Sequence, residues 1–256
     1  MYMEDNMKMI RPLIIVAILA TSLTGLAQET PVSLRKAADA SVDRNIVMPT
    51  AETLGKGEWA INSYELLGFG VSYGVADQAH VSFTTIAPIT TDFPIGGILS
   101  GKFQVVETSR FLFALQPSAS WFTQEGDSAG TVSLNAACDF VLDQQGRVAL
   151  TLAEVSTWSY SGDGNIGLGD AALFLLSGGI NGRVGKFVKL MGEVVLIATY
   201  ADGDFDFVDE GFFFNYGIRF FGRTLAADLS FIRPVGEDTG EFLMGIPYVS
   251  FTARFD

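Results

Sequence analysis

The chain has 256 residues and a formal net charge of −13, a balance that excludes nucleic acid as a partner, because phosphate neutralisation needs Lys and Arg. A single cysteine, Cys138, excludes an internal disulfide framework, and a single histidine, His80, leaves no usual ligand set for zinc. Charged residues make up only 18% of the chain and mean hydropathy is +0.32, against roughly 25% charged in ordinary globular chains. No segment beyond the N-terminus is long and apolar enough for a membrane helix, which leaves an unusually greasy soluble core or a barrel whose wall faces lipid.

Residues 1–27 have the pattern of a signal peptide. Lys8 and Arg11 precede the apolar run Leu13 to Leu19, and Gly25-Leu26-Ala27 puts small residues where a signal peptidase reads. Gln28 is then the expected mature N-terminus. The run is short beside the roughly 20 apolar residues of a membrane anchor, and no cysteine at the cleavage point offers a lipid anchor. Residues 28–57 lack any alternation. Ser33 could cap a short helix carrying Leu34, Ala37 and Val42. The segment is open to three placements: in the periplasm, folded back as a plug, or disordered. Periplasmic or disordered is the expectation, since exported domains commonly begin with loose termini.

From residue 58 to 256 the sequence alternates apolar and polar residues in stretches of about ten, the per-segment signature of barrel strands. In Thr131 to Phe140, Val132, Leu134, Ala136, Cys138 and Phe140 share one face, opposite Thr131, Ser133, Asn135 and Asp139. Phe214, Tyr216, Ile218 and Phe220 oppose Asn215 and Arg219. Val249, Phe251, Ala253 and Phe255 oppose Tyr248, Ser250, Thr252 and Arg254. A helix, with its period of 3.6, would scatter these residues around its circumference. In Arg147 to Val155 the parity of Val148, Leu150 and Leu152 also takes in Glu154, so the strand has left the membrane there or a bulge resets its phase.

Connections alternate between tight turns (Ala76 to Gln78, Glu107 to Arg110, Asp143 to Gly146, Gly185-Lys186, Gly222-Arg223) and long polar stretches (Ala87 to Phe93, Thr123 to Gly130, Ser156 to Asp170, Ala201 to Gly211, Pro234 to Glu241). Outer-membrane barrels show this pattern, with short periplasmic turns and long external loops. The expected fold is all-β: a transmembrane antiparallel up-and-down barrel of about twelve strands, or ten if Glu58 to Val75 is one bent strand rather than two joined near Glu65. If the apolar parities face lipid, Lys102, Gln104, Gln116, Asn135, Asp139, Arg183, Lys189, Glu193, Arg219, Asp228 and Arg254 face the lumen. Charges of both signs confined there should pair.

Met48 to Gly57 leading into a first strand, the Ser72-Tyr73-Gly74-Val75-Ala76-Asp77 strand and turn, and the closing Tyr248 to Phe255 together resemble the outer-membrane β-barrel proteins of Gram-negative bacteria. The resemblance covers nearly all of the expected mature chain, and its motifs specify architecture rather than activity. It implies outer-membrane lipid as surroundings and recognition of the C-terminal strand by the barrel-assembly machinery. In that superfamily the last strand ends in an aromatic residue, whereas here Phe255 is followed by Asp256.

Three motifs could carry chemistry. His80 and Ser82 resemble the histidine base and serine nucleophile of outer-membrane lipid hydrolases. They follow a periplasmic turn and lack a nearby orienting group in sequence, so a hydrogen-bonded lumen histidine is the expectation. Asp202, Asp204, Asp206, Asp209 and Glu210 begin like a calcium loop, but Phe207 and Phe213 stand where Gly and Glu are needed; a solvated acidic external loop is expected. The Gly-rich stretch Asp163 to Asp170 precedes no helix that could present amides to a phosphate. No enzyme activity, metal or cofactor is expected. The expected function is a narrow passive pore for small solutes or ions, its acidic external mouth favouring cations. The alternatives are a closed structural or interaction barrel and a soluble periplasmic β-protein.

Overall fold

A computed structural model describes residues 39–65, 68–86, 95–124, 127–143, 148–161, 171–201, 204–236 and 244–256. The expected signal peptide, residues 28–38 and the Gly-rich stretch at 163–170 lie outside the described residues. Period-two alternation produces twelve strands: β1 (Trp59–Tyr64), β2 (Gly68–Ala76), β3 (Ala79–Ile86), β4 (Ile95–Glu107), β5 (Phe111–Gln124), β6 (Asp127–Val141), β7 (Val148–Ser161), β8 (Ala171–Arg183), β9 (Val188–Ala201), β10 (Asp204–Phe221), β11 (Leu225–Val235) and β12 (Ile246–Phe255). Each pairs antiparallel with its neighbours in sequence, and β1 pairs with β12 from Trp59↔Phe255 to Tyr64↔Ser250, closing the barrel. Closure leaves no strand with an unpaired edge. Of the two readings of Glu58 to Val75, the structure has the pair of strands. The chain reverses after Glu65, whose φ of 53° is the sole positive value among described non-glycine residues.

The connections after the even-numbered strands, the start of β1 and the end of β12 lie at one end of the barrel, here the turn end; those after the odd-numbered strands lie at the other, the loop end. The loop end is not uniformly long: only residues 65–67, 125–126 and 202–203 separate β1 from β2, β5 from β6 and β9 from β10, so the long stretch expected at Thr123 to Gly130 is corrected to strand on both sides of a two-residue connection. The sequence parities are the parities of the wall. Leu99, Phe103, Trp121, Leu152, Leu190, Phe220, Leu229 and Phe251 are outward and exposed, while Lys102, Asp139, Glu193, Arg219, Asp228 and Arg254 are inward and buried. At Glu154 there is no bulge: the β6–β7 register runs unbroken from Ala129↔Ser161 to Val141↔Ala149. Glu154 therefore sits on the outer wall within a strand that continues to Ser161, accepting a hydrogen bond from the Ser156 hydroxyl on the same face.

The acidic run expected as a loop is corrected. Asp204, Asp206, Asp209 and Glu210 belong to β10, which extends past the barrel wall as a ribbon against β9 and changes register between Phe207 and Phe212. Alternation of Phe205 and Phe207 with Asp204 and Asp206 is itself a strand pattern, and it outweighs the turn tendency of the aspartates. Asp202 lies outside the described residues.

Candidate functional site: a hairpin seated in the lumen

Residues 39–57 occupy the turn-end half of the lumen, the plug placement among the three left open, where periplasmic placement or disorder was favoured. No helix forms among the described residues here. Residues 40–43 make a turn, Arg44 and Pro49 form a bridge, and the Asn45 amide donates to the Met48 carbonyl at 2.9 Å. The result is a short hairpin with its apex at residues 45–48. It enters at the turn end, where the Ala40 amide donates to the Gly222 carbonyl, and returns there, where Thr53 and Lys56 meet Asp77.

The hairpin has little internal structure, so the wall supplies partners for its backbone groups, as any buried backbone requires. Lys102 donates from Nζ to the carbonyls of Asp43, Thr50 and Glu52 at 2.8, 3.2 and 3.3 Å. Glu193 accepts the amides of Val47 and Met48 through its two carboxylate oxygens, at 3.4 and 3.1 Å. Asp139 accepts the Ala51 amide at 3.1 Å and the Thr151 hydroxyl at 2.6 Å. His80 Nδ1 accepts the Leu54 amide at 3.2 Å, so this histidine is part of the seat, and Ser82 bonds instead to Ser72 at 2.8 Å.

Arg219 is the centre of the seat. Its guanidinium, 1% exposed, pairs with Asp228 (Nε–Oδ1 2.6 Å, Nη2–Oδ2 3.0 Å) and lies 3.5 Å from Asp39. It also donates to the carbonyls of Ser41, Arg44 and Asn45. Asp39 is further paired with Lys189, Arg44 with Asp228 at 3.5 Å, and Arg254 with Glu58. Burial alone would push Asp39 up, but Lys189 and Arg219 outweigh it and hold the carboxyl well below the usual carboxylate range. Burial opposes ionisation of Asp43 as well, and Lys102, His80, Arg44 and Arg219 together bring it below its ordinary value.

Apolar packing completes the seat. Met48 and Ala51 pack with Leu112, Ala114, Ala137, Ala153 and Val195, flanked by Val155, Leu175 and Phe213. These wall residues are apolar yet point inward. Assigning apolar faces to the outside misses them, because β9 is apolar on both faces along Val194-Val195-Leu196-Ile197. Two glycines make room for the hairpin. A Cβ on Gly179 would come within 2.6 Å of Asn45 Nδ2, and one on Gly74 would overlap the Gly55 carbonyl oxygen. A cleft of about 20 Å³ between hairpin and wall, bordered by Asp39, Arg44, Glu52, Asp139 and Arg219, has room for about one water.

Of the expected lumen residues, Lys102, Asp139, Lys189, Glu193, Arg219 and Arg254 bind the hairpin directly. Asp228 also binds it directly, at the hairpin's Arg44, and Arg183 lies over the Phe221 ring at 4.8 Å. Gln104 is buried beside Lys102, while Gln116 and Asn135 stand above the hairpin, towards the loop end. Among the described residues no cluster of three His, Cys, Asp or Glu could hold a metal.

No family model matches the chain, and no curated protein matches it. Solved structures do resemble it. The NanC porin is 5% identical, with 77% of this chain and 97% of that one covered at a TM-score of 0.42. The KdgM porin in complex with disordered oligogalacturonate is 9% identical, covering 77% and 95% at 0.42. OmpT, an outer membrane protein of Vibrio cholerae, is 9% identical, covering 73% and 63% at 0.38. What this chain does must be read from its own lining.

Proposed function

We propose that the chain is an outer-membrane barrel whose lumen is a small-solute pore held shut from the periplasmic side by residues 39–57. Membrane residence is supported by the belt of outward Leu, Phe, Val and Trp side chains around the barrel, a surface far too apolar for water. The resemblance carried by the strand and turn motifs points the same way, with the turn end in the periplasm. Closure is supported by one observation above the rest: the buried charges of the wall are spent on the backbone of the hairpin.

The test is conductance in planar bilayers. The full barrel should be silent or open rarely, and a variant lacking residues 39–54 should conduct steadily. Equal steady conductance from both would remove the gating role. Silence from a folded variant lacking the hairpin would favour a closed structural barrel.

The membrane itself is tested by two neighbouring positions on β6. Arg at Leu134, on the outer wall, should cost roughly 2–4 kcal/mol near the midplane. Arg at Asn135, which faces the lumen above the hairpin, should be much milder because it reaches water there. Urea unfolding from lipid vesicles measures both, and equal damage would show that no lipid surrounds the wall.

A further inference from the structure

Among the described residues, the loop-end half of the lumen, above the hairpin, is a cup with two unlike sides. On β3 to β7 the inward positions are hydroxyl-rich, with Ser82, Ser100, Ser118, Thr131, Ser133 and Thr157 all partly exposed, interrupted by Ile98, Phe122 and Val155. On β8 to β12 they are mostly apolar, Leu173, Leu175, Ile197, Phe213, Ile232 and Ile246, with Thr199 and Tyr248 among them. Leu173 is 40% exposed and Ile246 49%, although their register points them inward, so no described residue covers this side of the cup. Val47, 48% exposed at the hairpin apex, forms the floor.

The hydroxyls meet in cross-strand pairs, Ser120 with Thr131 at 2.7 Å and Ser133 with Thr157 at 3.0 Å. A hydroxyl has one donor and two acceptor sites, so each pair keeps capacity towards the cup. The carboxamides of Gln116 and Asn135 lie below them. Gln116 donates to Ser100 at 3.3 Å, while its Oε1, like Asn135 Oδ1, has no partner among the described residues. Between the apex and the rim, where Asp204 and Asp206 stand exposed, no described inward residue carries a carboxylate, amine or guanidinium.

We infer that this cup binds a neutral polyhydroxylated ligand, in chemical class a short uncharged oligosaccharide. An anionic solute would find no counter-charge in the cup, would meet Asp204 and Asp206 on the inward parity of the rim, and would lose its hydration. A wholly apolar one would cover the hydroxyls and carboxamides without pairing them, which is costly. A sugar ring presents hydroxyls at its edge and C–H groups on its face, and so satisfies both sides of the cup together. The inference goes beyond gating and stands without it, because binding is read in detergent solution and passage in a bilayer.

Isothermal titration of the detergent-folded full chain tests it, with maltotriose and cellotriose as neutral probes and trigalacturonate as the acidic one. At least one neutral trimer should bind saturably at one site, and the acid at least about tenfold more weakly. Thr157→Val, which removes a hydroxyl at constant shape, and Leu173→Ala, on the apolar side, should each weaken binding by about threefold to tenfold. Unheated gel migration checks folding, and Ser133→Ala replaces Thr157→Val if that variant does not fold. Failure of both neutral trimers to bind, equal binding of the acid, or affinity untouched by both kinds of substitution would each overturn the assignment. Silent bilayers with intact sugar binding would count against the pore alone.

Discussion

Replacing Arg219 with methionine should unseat the hairpin. The guanidinium joins Asp228 and Asp39 to three carbonyls in a site 1% exposed. Removing one member of a buried charged group leaves the others desolvated without compensation, at roughly 3–5 kcal/mol. Asp39 keeps Lys189, and Asp228 keeps Arg44 and the Ser250 hydroxyl, which places the cost towards the lower end. About 3 kcal/mol still moves the seated-to-unseated ratio by more than about a hundredfold. Protease cleavage within residues 39–57 of the folded barrel, and the open fraction in bilayers, should both rise accordingly. Arg223→Met is the control, because the Arg223–Asp256 pair is 68% and 72% exposed and such pairs contribute little. If cleavage of Arg219→Met stays at the level of the control, the hairpin is held by packing around Met48 and not by charge.

Ion preference in the opened barrel should differ from what the acidic connections suggest. An acidic mouth concentrates cations, and Asp204 and Asp206 stand exposed at the rim. That field governs passage only while the lumen charges are neutralised, and here the hairpin does much of the neutralising. With residues 39–54 removed, Lys102, Arg183, Lys189, Arg219 and Arg254 face Asp139, Glu193, Asp228 and the Glu58 that stays paired with Arg254, an excess of one positive charge. The narrow part of the pore is then positive, at the point where a passing ion is least hydrated. The variant without the hairpin should therefore prefer anions severalfold in dilute KCl and lose most of that preference at 1 M, where screening shortens to about 3 Å. Changing Asp204 and Asp206 to Asn should strengthen the anion preference. Reversal potentials under a salt gradient measure both effects. Cation selectivity that survives removal of the hairpin would show that the rim controls passage whatever the lumen carries.

The strands were legible in the sequence because a pleated wall imposes a period of two. On β6, β10 and β12 one face is apolar and the other polar, so parity alone assigned Asn135, Asp139, Arg219 and Arg254 to the lumen. The hairpin was not legible. Residues 39–57 have no period because their conformation is dictated by partners far along the chain, such as Glu193 for Met48 and Asp139 for Ala51. A signal was nonetheless present. A lumen with so many buried charges of both signs needs partners that water in a narrow barrel supplies poorly, and Asp39, Asp43, Arg44 and Glu52 lie together in the segment before β1. The inward Val155, Leu175, Val195 and Phe213 escaped notice because alternation cannot tell two apolar faces apart. The acidic run at 204–210 was read by its charge, when the phenylalanines between the acids had the period of a strand.

The hairpin is tethered at one end of the barrel, and this has an electrical consequence. It joins β1 through Gly57, whose φ of 84° and open surroundings suit a pivot, so the path out leads through the turn end. Asp39, Asp43 and Glu52 against Arg44 leave residues 39–54 with two net negative charges. Moving one charge through the full membrane field is worth about 2.3 kcal/mol per 100 mV. A voltage positive on the turn side pulls the hairpin outward, and the reverse polarity presses it into its seat. A barrel gated as proposed should conduct as a rectifier, its openings set by the sign of the applied potential.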